Sequence, residues 1–193
     1  MDSKRDNEEK TDNKINLCLS LPAFNYFGFK DLLKIEEIEI DTLKDSFLNL
    51  FWNASKKIEI CSPFIEWSGF FPYKEVLRRK ANQGVKIRIL TREANSTKKY
   101  AILKKINGVF KKKQIEIRNY FIKNTSNYLA SSVHAKMIII DNYHAYIGSG
   151  ELRENSFEKN LELGVNISGK IVEEIQIIFD RIFSNSERVN FER

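Results

Sequence analysis

Histidine and cysteine are scarce in this chain, with two of each among 193 residues. Cys18 and Cys61 lie far apart, form no Cys-x-x-Cys pair and have no histidine nearby. A structural zinc site therefore lacks its ligands, and two buried, reduced thiols are expected. Long apolar runs are missing as well. None approaches the roughly 20 residues that a helix needs to cross a bilayer, so no stable membrane insertion is expected. The opening "MDSKRDNEEKTDNK" has no apolar core of the kind a secretion signal carries, which makes the cytoplasm the expected location. Carboxylates do not cluster at a spacing suited to a two-metal centre, so neither metal nor cofactor is expected.

What the chain does have is an ordinary apolar content of 42% and a formal charge of +6. The first is enough for one domain with a sizeable core. The second favours a polyanionic partner, nucleic acid or an anionic membrane surface. Residues 1–14 are charged and poor in apolar side chains, which predicts a disordered tail ahead of a single domain at 15–193. "IEEIEI" at 35–40 reads as a short strand or an irregular segment. Asp41 reads as the cap of a helix whose apolar face is Leu43, Phe47, Leu50, Phe51 and Ala54.

"KIEICSPF" is a strand that stops at Pro63. A helix follows, with Pro72 in its first turn and Gly84 at its end. "VKIRILTRE" is the next strand, "NSTKKYAILKKING" the next helix, and "KQIEIRNYF" a further strand. "IKNTSNYLASS" reads as loop. Two strands, 133–140 and 144–148, flank the turn-forming "DNY", and "LELGVNI" at 161–167 alternates again. The last helix places Ile171, Ile175, Ile178, Phe179 and Ile182 on one side. Strands alternating with helices and then a hairpin predict an α/β fold with a mixed sheet between helical layers.

Both histidines fall within "SSVHAKMIIIDNYHAYIGSGE", 131–151. On an extended segment His134 and Lys136 share one side, opposite Val133, Ala135, Met137 and Ile139. An imidazole and an ammonium aimed at one point suit a phosphate ester. Lysine neutralises phosphoryl oxygens, and imidazole can attack phosphorus or move a proton near neutral pH. Ser149, after the second strand, offers a hydroxyl at the same edge. His144 has no lysine partner and reads as a hairpin residue.

The full spacing, H-x-K-x(4)-D-x(6)-G-S over His134, Lys136, Asp141 and Gly148-Ser149, resembles the HKD motif of the phospholipase D superfamily. "NLELGV" at 160–165 resembles that family's downstream strand, and "KKIEICSPF" with "LRRKANQGVKIRILT" resembles its recurring strand–helix–strand. The resemblance runs from about residue 41 to 183. It implies an α/β/α sandwich and a metal-independent phosphodiesterase in which one histidine forms a covalent phosphohistidine and a second protonates the leaving oxygen. Two motifs are needed and this chain holds one, so the resemblance implies a homodimer with the site on its twofold axis. It gives Asp141 the orienting of the turn or of the histidine, and Glu162 the support of an imidazole nitrogen. One position departs from the family: where it has G-S-x-N, this chain has Glu151. Either the loop is rearranged, or Asn155 substitutes, or activity is weak.

Among phosphodiesters, a small, basic, single-motif chain is similar to the family's nuclease branch, and DNA is the expected substrate ahead of RNA. Lys98, Lys99, Lys111, Lys112 and Lys113 could track a phosphate backbone, with Arg92 nearer the chemistry. Phe64 and Trp67 are candidates for stacking on a base. The "NLELGV" segment also resembles defence- and helicase-associated members, which implies other defence-system subunits as partners. A phospholipase D-type lipid hydrolase and an impaired nucleic-acid-binding subunit stay open as the other readings.

Overall fold

The computed structural model describes residues 13–20, 40–111 and 113–191. The expected tail at 1–12 and residues 35–39 of "IEEIEI" lie outside the described residues. Lys14, grouped with the tail by composition, instead opens strand β1 (Lys14–Ser20). A two-residue strand, β2 (Asp41–Thr42), leads into helix α1 (Leu43–Asn53).

The cap of α1 is Thr42 and not Asp41. Asp41 pairs with Cys18 of β1. The Thr42 hydroxyl accepts the Asp45 amide at 3.1 Å and donates to the Asp45 carboxylate at 2.7 Å. A cap of this kind is worth about 1 kcal/mol. Leu43, Phe47, Leu50, Phe51 and Ala54 are buried, as their helical spacing predicts. Each of the larger ones stabilises the fold by about 1.5–3 kcal/mol on leaving water.

Strand β3 (Lys57–Cys61) runs into a short helix α2 (Trp67–Phe70), a 3-10 turn at Phe71–Tyr73 holding Pro72, and α3 (Lys74–Asn82). Gly84 ends this stretch at φ +93, a conformation that residues with a Cβ rarely adopt. Then come β4 (Lys86–Thr91), α4 (Thr97–Asn107) and β5 (Ile115–Asn119). The segment expected as loop is instead a hairpin, β6 (Phe121–Lys123) and β7 (Leu129–Ser132). Its polar residues make a turn: the Asn124 side chain accepts the amides of Ser126 and Tyr128.

Strand β8 (Met137–Ile140) starts later than the expected Val133, so His134 and Lys136 precede it, outside any strand. β9 (His144–Gly148), α5 (Glu154–Glu158), β10 (Glu162–Ser168), α6 (Ile171–Ser184) and β11 (Glu187–Arg188) complete the order.

Among the described residues, nine strands form one mixed sheet in the order β11-β5-β4-β3-β8-β9-β10-β1-β2. β3, β4 and β5 are parallel, and β8, β9, β10 and β1 follow in antiparallel pairs. One face packs Ile58, Ile60, Ile87, Ile89, Ile138 and Ile140 against the helices α1 to α4. The other packs Cys61, Leu90, Ile139 and Ala145 against α6. The α/β architecture with helices on both faces is as expected.

The buried side of α6 differs from expectation. Val172, Gln176, Phe179 and Phe183 face the sheet, while Ile171 and Ile178 are exposed. A buried charge sets this rotation. Glu59 on β3 is fully enclosed beneath the helix, and Gln176 donates to it at 2.6 Å. Arg88 of β4 bridges Glu59 to Asp180 of α6. A buried carboxylate needs such partners, so a polar residue takes a place that periodicity assigns to an apolar one.

Candidate active site

β3, β4, β5 and β9 end, and β8 and β10 begin, at one edge of the sheet. The carboxyl ends of parallel strands are where open α/β sheets bind ligands, because loops diverge there and leave a crevice. His134 and Lys136 stand at this edge, ahead of β8. The Lys136 ammonium lies 3.4 Å from His134 Nδ1 and donates to the His134 carbonyl oxygen at 3.0 Å. The imidazole is exposed and Lys136 half-buried. The two side chains therefore present an imidazole and an ammonium side by side, open to solvent.

The chain beneath them is tightly placed. The Cys61 thiol donates to the Ala135 carbonyl at 3.2 Å, and burial pushes that thiol up to about 12, leaving it inert as a nucleophile. The Gly148 amide reaches the Lys136 carbonyl at 3.4 Å. Ser149 is at the same edge, but its hydroxyl is engaged. It accepts the Leu163 amide at 3.1 Å and lies 3.4 Å from the Leu163 carbonyl. Glu162 is there too, buried, and accepts from Asn160 at 3.0 Å; among the described residues its hydrogen-bond partner is Asn160, not His134.

Asp141 sits at the opposite end of the β8–β9 hairpin. Its carboxylate accepts four hydrogen bonds, from the amides of Ser55, Lys56 and Lys57 and from the Ser55 hydroxyl, at 2.7–2.8 Å. Burial works against its charge, but these bonds prevail and hold the carboxyl below its usual range. It ties the hairpin turn to the start of β3 and does not meet the histidine. His144 is at that end as well, beside the Tyr143 ring.

Glu151, the departure from the family pattern, turns inward. It is 5% exposed, and one carboxylate oxygen accepts the Phe64 amide at 2.9 Å. Burial lifts its carboxyl above the usual range, opposed by that amide and by the charges of Lys136, Arg153 and Lys99. The loop that carries it is fixed from below. The buried Tyr146 hydroxyl accepts the Gly150 amide at 3.0 Å, and a Cβ on Gly164 would fall 2.4 Å from the Tyr146 ring. Asn155, the other candidate to replace the missing asparagine, is half-buried in the first turn of α5.

The cations divide into groups. Lys99 is not free for substrate: it donates to the carbonyls of Pro63 and Ile65 at 3.1 and 3.3 Å. Burial brings its ammonium down to about 8. Lys98 is exposed near the start of α4, on the side of the active edge. Lys111 and Lys113 are exposed ahead of β5, at the opposite edge of the sheet from His134, and Lys112 lies outside the described residues. Arg92 follows β4 directly at the same edge as His134, its guanidinium carbon 4.0 Å from the Phe64 ring centroid. Trp67 packs on the core with Lys105 over its ring at 4.1 Å. Arg153 is not among the residues that the sequence pattern singles out for the site. Its guanidinium stands 5.4 Å from the same Phe64 ring and pairs with Glu66 at 3.1 Å. Among the described residues no group of acids, histidines and cysteines is placed to hold a metal ion, and no helix is long and apolar enough to cross a membrane.

Comparison with known proteins finds the same architecture. A family model described as "Cardiolipin synthase, PLD-like domain" matches residues 47–183. None of the curated proteins matches the chain. Among solved structures, Nuc from Salmonella typhimurium, a phospholipase D family member, superposes with TM-score 0.64 at 17% identity, over 93% of this chain and 100% of its own. NucT from Helicobacter pylori gives 0.65 at 17%, over 92% and 100%. Phosphatidylserine synthase from Haemophilus influenzae gives 0.65 at 13%, over 93% of this chain but 40% of its own.

Proposed function

The chain belongs to the phospholipase D-like family, and from that premise we propose that it is a metal-independent phosphodiesterase that cleaves nucleic acid, DNA ahead of RNA, as a homodimer. The observation that carries the reading is the pairing of an exposed His134 imidazole with the Lys136 ammonium at 3.4 Å, on the open edge of the sheet. In the first step His134 attacks phosphorus. The P–N bond forms as the P–O bond to the leaving group breaks, and the histidine of a second copy delivers a proton to the leaving oxygen. Water, giving its proton back to that second histidine, then attacks phosphorus and breaks the P–N bond. Lys136 of both copies neutralises the phosphoryl oxygens.

The second copy is needed because one chain supplies one His-x-Lys pair. A face fit to receive it adjoins the site. Ile15, Leu17 and Leu19 of β1 pair with Ile167, Val165 and Leu163 of β10. On this part of the sheet Ile15, Leu17 and Leu163 remain 43–64% exposed. An isologous interface there brings the two open edges together. DNA is favoured over lipid by size: the chain spans Nuc and NucT completely but less than half of the synthase, and its charge of +6 suits a polyanion. TrmBL2, an archaeal chromatin protein with a novel mode of DNA binding, shares the fold at TM-score 0.52 and 17% identity. The cytoplasm, and a role beside other defence-system subunits, fit this reading.

Incubating the protein in EDTA with labelled single- and double-stranded DNA, RNA and a phosphatidyl lipid tests it. Cleavage of nucleic acid in EDTA is expected. Activity that EDTA abolishes and magnesium restores, or hydrolysis of the lipid alone, overturns it.

A further inference from the structure

Three loops, those after β3, β4 and β9, bring Phe64, Arg92 and Arg153 together at the active edge. Both guanidinium groups stand over the one Phe64 ring, at 4.0 and 5.4 Å. The loops are held in place by bonds of their own. Thr91 donates to the carbonyls of Ser62 and Pro63, the Leu152 amide reaches the Ser62 hydroxyl at 3.3 Å, and Glu66 donates its amide to Leu152 at 2.9 Å.

Within this frame the two arginines are not equivalent. Arg153 is partly satisfied by Glu66 and lies 4.0 Å from Glu151. Arg92 has no acidic partner among the described residues, and its Nε is buried without an acceptor. Arg88, four residues earlier and within β4, is bound by two carboxylates. A buried guanidinium donor is rarely left unpaired unless a ligand completes it. Its planar fork matches a phosphate, and a ring against its face holds it flat while leaving its edge free.

We infer that Arg92, backed by Phe64 and flanked by Arg153, forms a second phosphate subsite, which takes the phosphate next to the scissile one on a polynucleotide. The inference rests on the nucleic-acid reading above and adds to it the grip on the flanking nucleotide. β4 lies two strands from β8, a separation of roughly 9–10 Å between chain paths. Long side chains from both sides narrow that gap to a span that adjacent nucleotides bridge. Glu151 lies near enough to Lys136, Arg153 and Lys99 for their charges to oppose the effect of its burial. A substrate with a single phosphorus fills only the His134–Lys136 position.

The test compares two substrates in EDTA: a single-stranded DNA oligonucleotide, and bis(p-nitrophenyl) phosphate, which has one phosphorus and no neighbour. For Arg92→Ala the ratio of kcat/KM for the oligonucleotide to that for the small ester should fall at least tenfold, through KM. The salt slope of oligonucleotide binding should drop by about one. Arg92→Lys, which keeps the charge and loses the fork, should fall in between. Thermal melts confirm that both variants are folded. An unchanged ratio, whether both substrates suffer equally or neither does, overturns the subsite while leaving the nuclease reading intact. A wild-type protein that hydrolyses a phosphatidyl lipid and neither cleaves nor binds the oligonucleotide overturns the nuclease reading and the subsite with it.

Discussion

At the turn end of the β8–β9 hairpin, Asp141 collects four hydrogen bonds and keeps its charge easily. At the open end Glu151 has one short bond from Phe64 and is buried, and that burial lifts its carboxyl above the usual range. His144 at the turn is half-buried against Tyr143, whereas His134 at the opening is exposed beside Lys136. The same residue types thus do opposite work within one hairpin. Where polar groups satisfy one another the chain is being held together. Where they are left cationic, exposed or poorly paired, the molecule is prepared for something not its own. Arg88 within β4 and Arg92 just beyond its end repeat the contrast.

The largest effect should come from removing the exposed histidine. His134→Ala should lower cleavage by more than about 10⁴, since general acid–base help alone contributes about 10²–10⁴ and the nucleophile is lost with it. Its melting temperature should stay within a degree or so of wild type. His144→Ala should cleave at close to the wild-type rate. Gel assays and thermal melts on the two variants break the comparison if the effects are exchanged.

Next in size is the face proposed to receive a second copy. Leu163→Asp places a charge on the apolar patch beside Ser149 and should give a monomer by sedimentation, with cleavage down about 100-fold. A fully active monomer separates the open end from any dimer.

Asp141→Ala should act on stability. Three of its four bonds are open to water, so the loss should be about 1–2 kcal/mol, with little change in rate per folded molecule. Because its carboxyl is held below the usual range, its contribution is present above about pH 4, where the unfolded carboxyl ionises, and is lost as pH falls through the lower folded value. Denaturant titrations at pH 7 and pH 3 should show the variant's deficit shrinking at the acid end.

The smallest effect is at Glu151. Burial raises its carboxyl, so the folded state holds that proton to higher pH than the unfolded chain. The stability this gives is complete below the unfolded value and is lost as pH rises through the folded one. Glu151→Gln should therefore melt with less dependence on pH above about 4, where the unfolded carboxyl begins to ionise. It should also lower KM for an anionic substrate several-fold at a pH high enough to ionise the wild-type carboxyl, since a carboxylate near Lys136 is then gone. A variant with the wild-type pH profile shows that Glu151 is as comfortable as Asp141.

Much of this contrast was legible before the structure. The helical spacing of α1, the Gly84 stop and the pairing of His134 with Lys136 follow from periodicity and from two rare residues falling close together. Strand β1 was not legible, because it buries only Cys18 and Ser20 while Ile15 and Leu17 face outward. The β6–β7 hairpin was hidden by a polar sequence whose order comes from the Asn124 turn. The rotation of α6 depends on Glu59, which is distant in sequence. Position along the chain also made one cluster of Lys98–Lys113, whereas the fold sends Lys98 and Lys111 to opposite edges. Phe64, Arg92 and Arg153 lie on three loops, and only the sheet brings them together.

The most direct test of the account is to trap the covalent intermediate. Wild-type protein is mixed with 5′- and 3′-labelled oligonucleotide in EDTA, quenched in alkali within the first turnover, and digested, and the labelled peptide is sequenced by mass spectrometry. The account predicts a phosphoramidate on His134, in the peptide that also holds Lys136. Label on His144, or rapid cleavage with no covalent adduct at any time point, would contradict it.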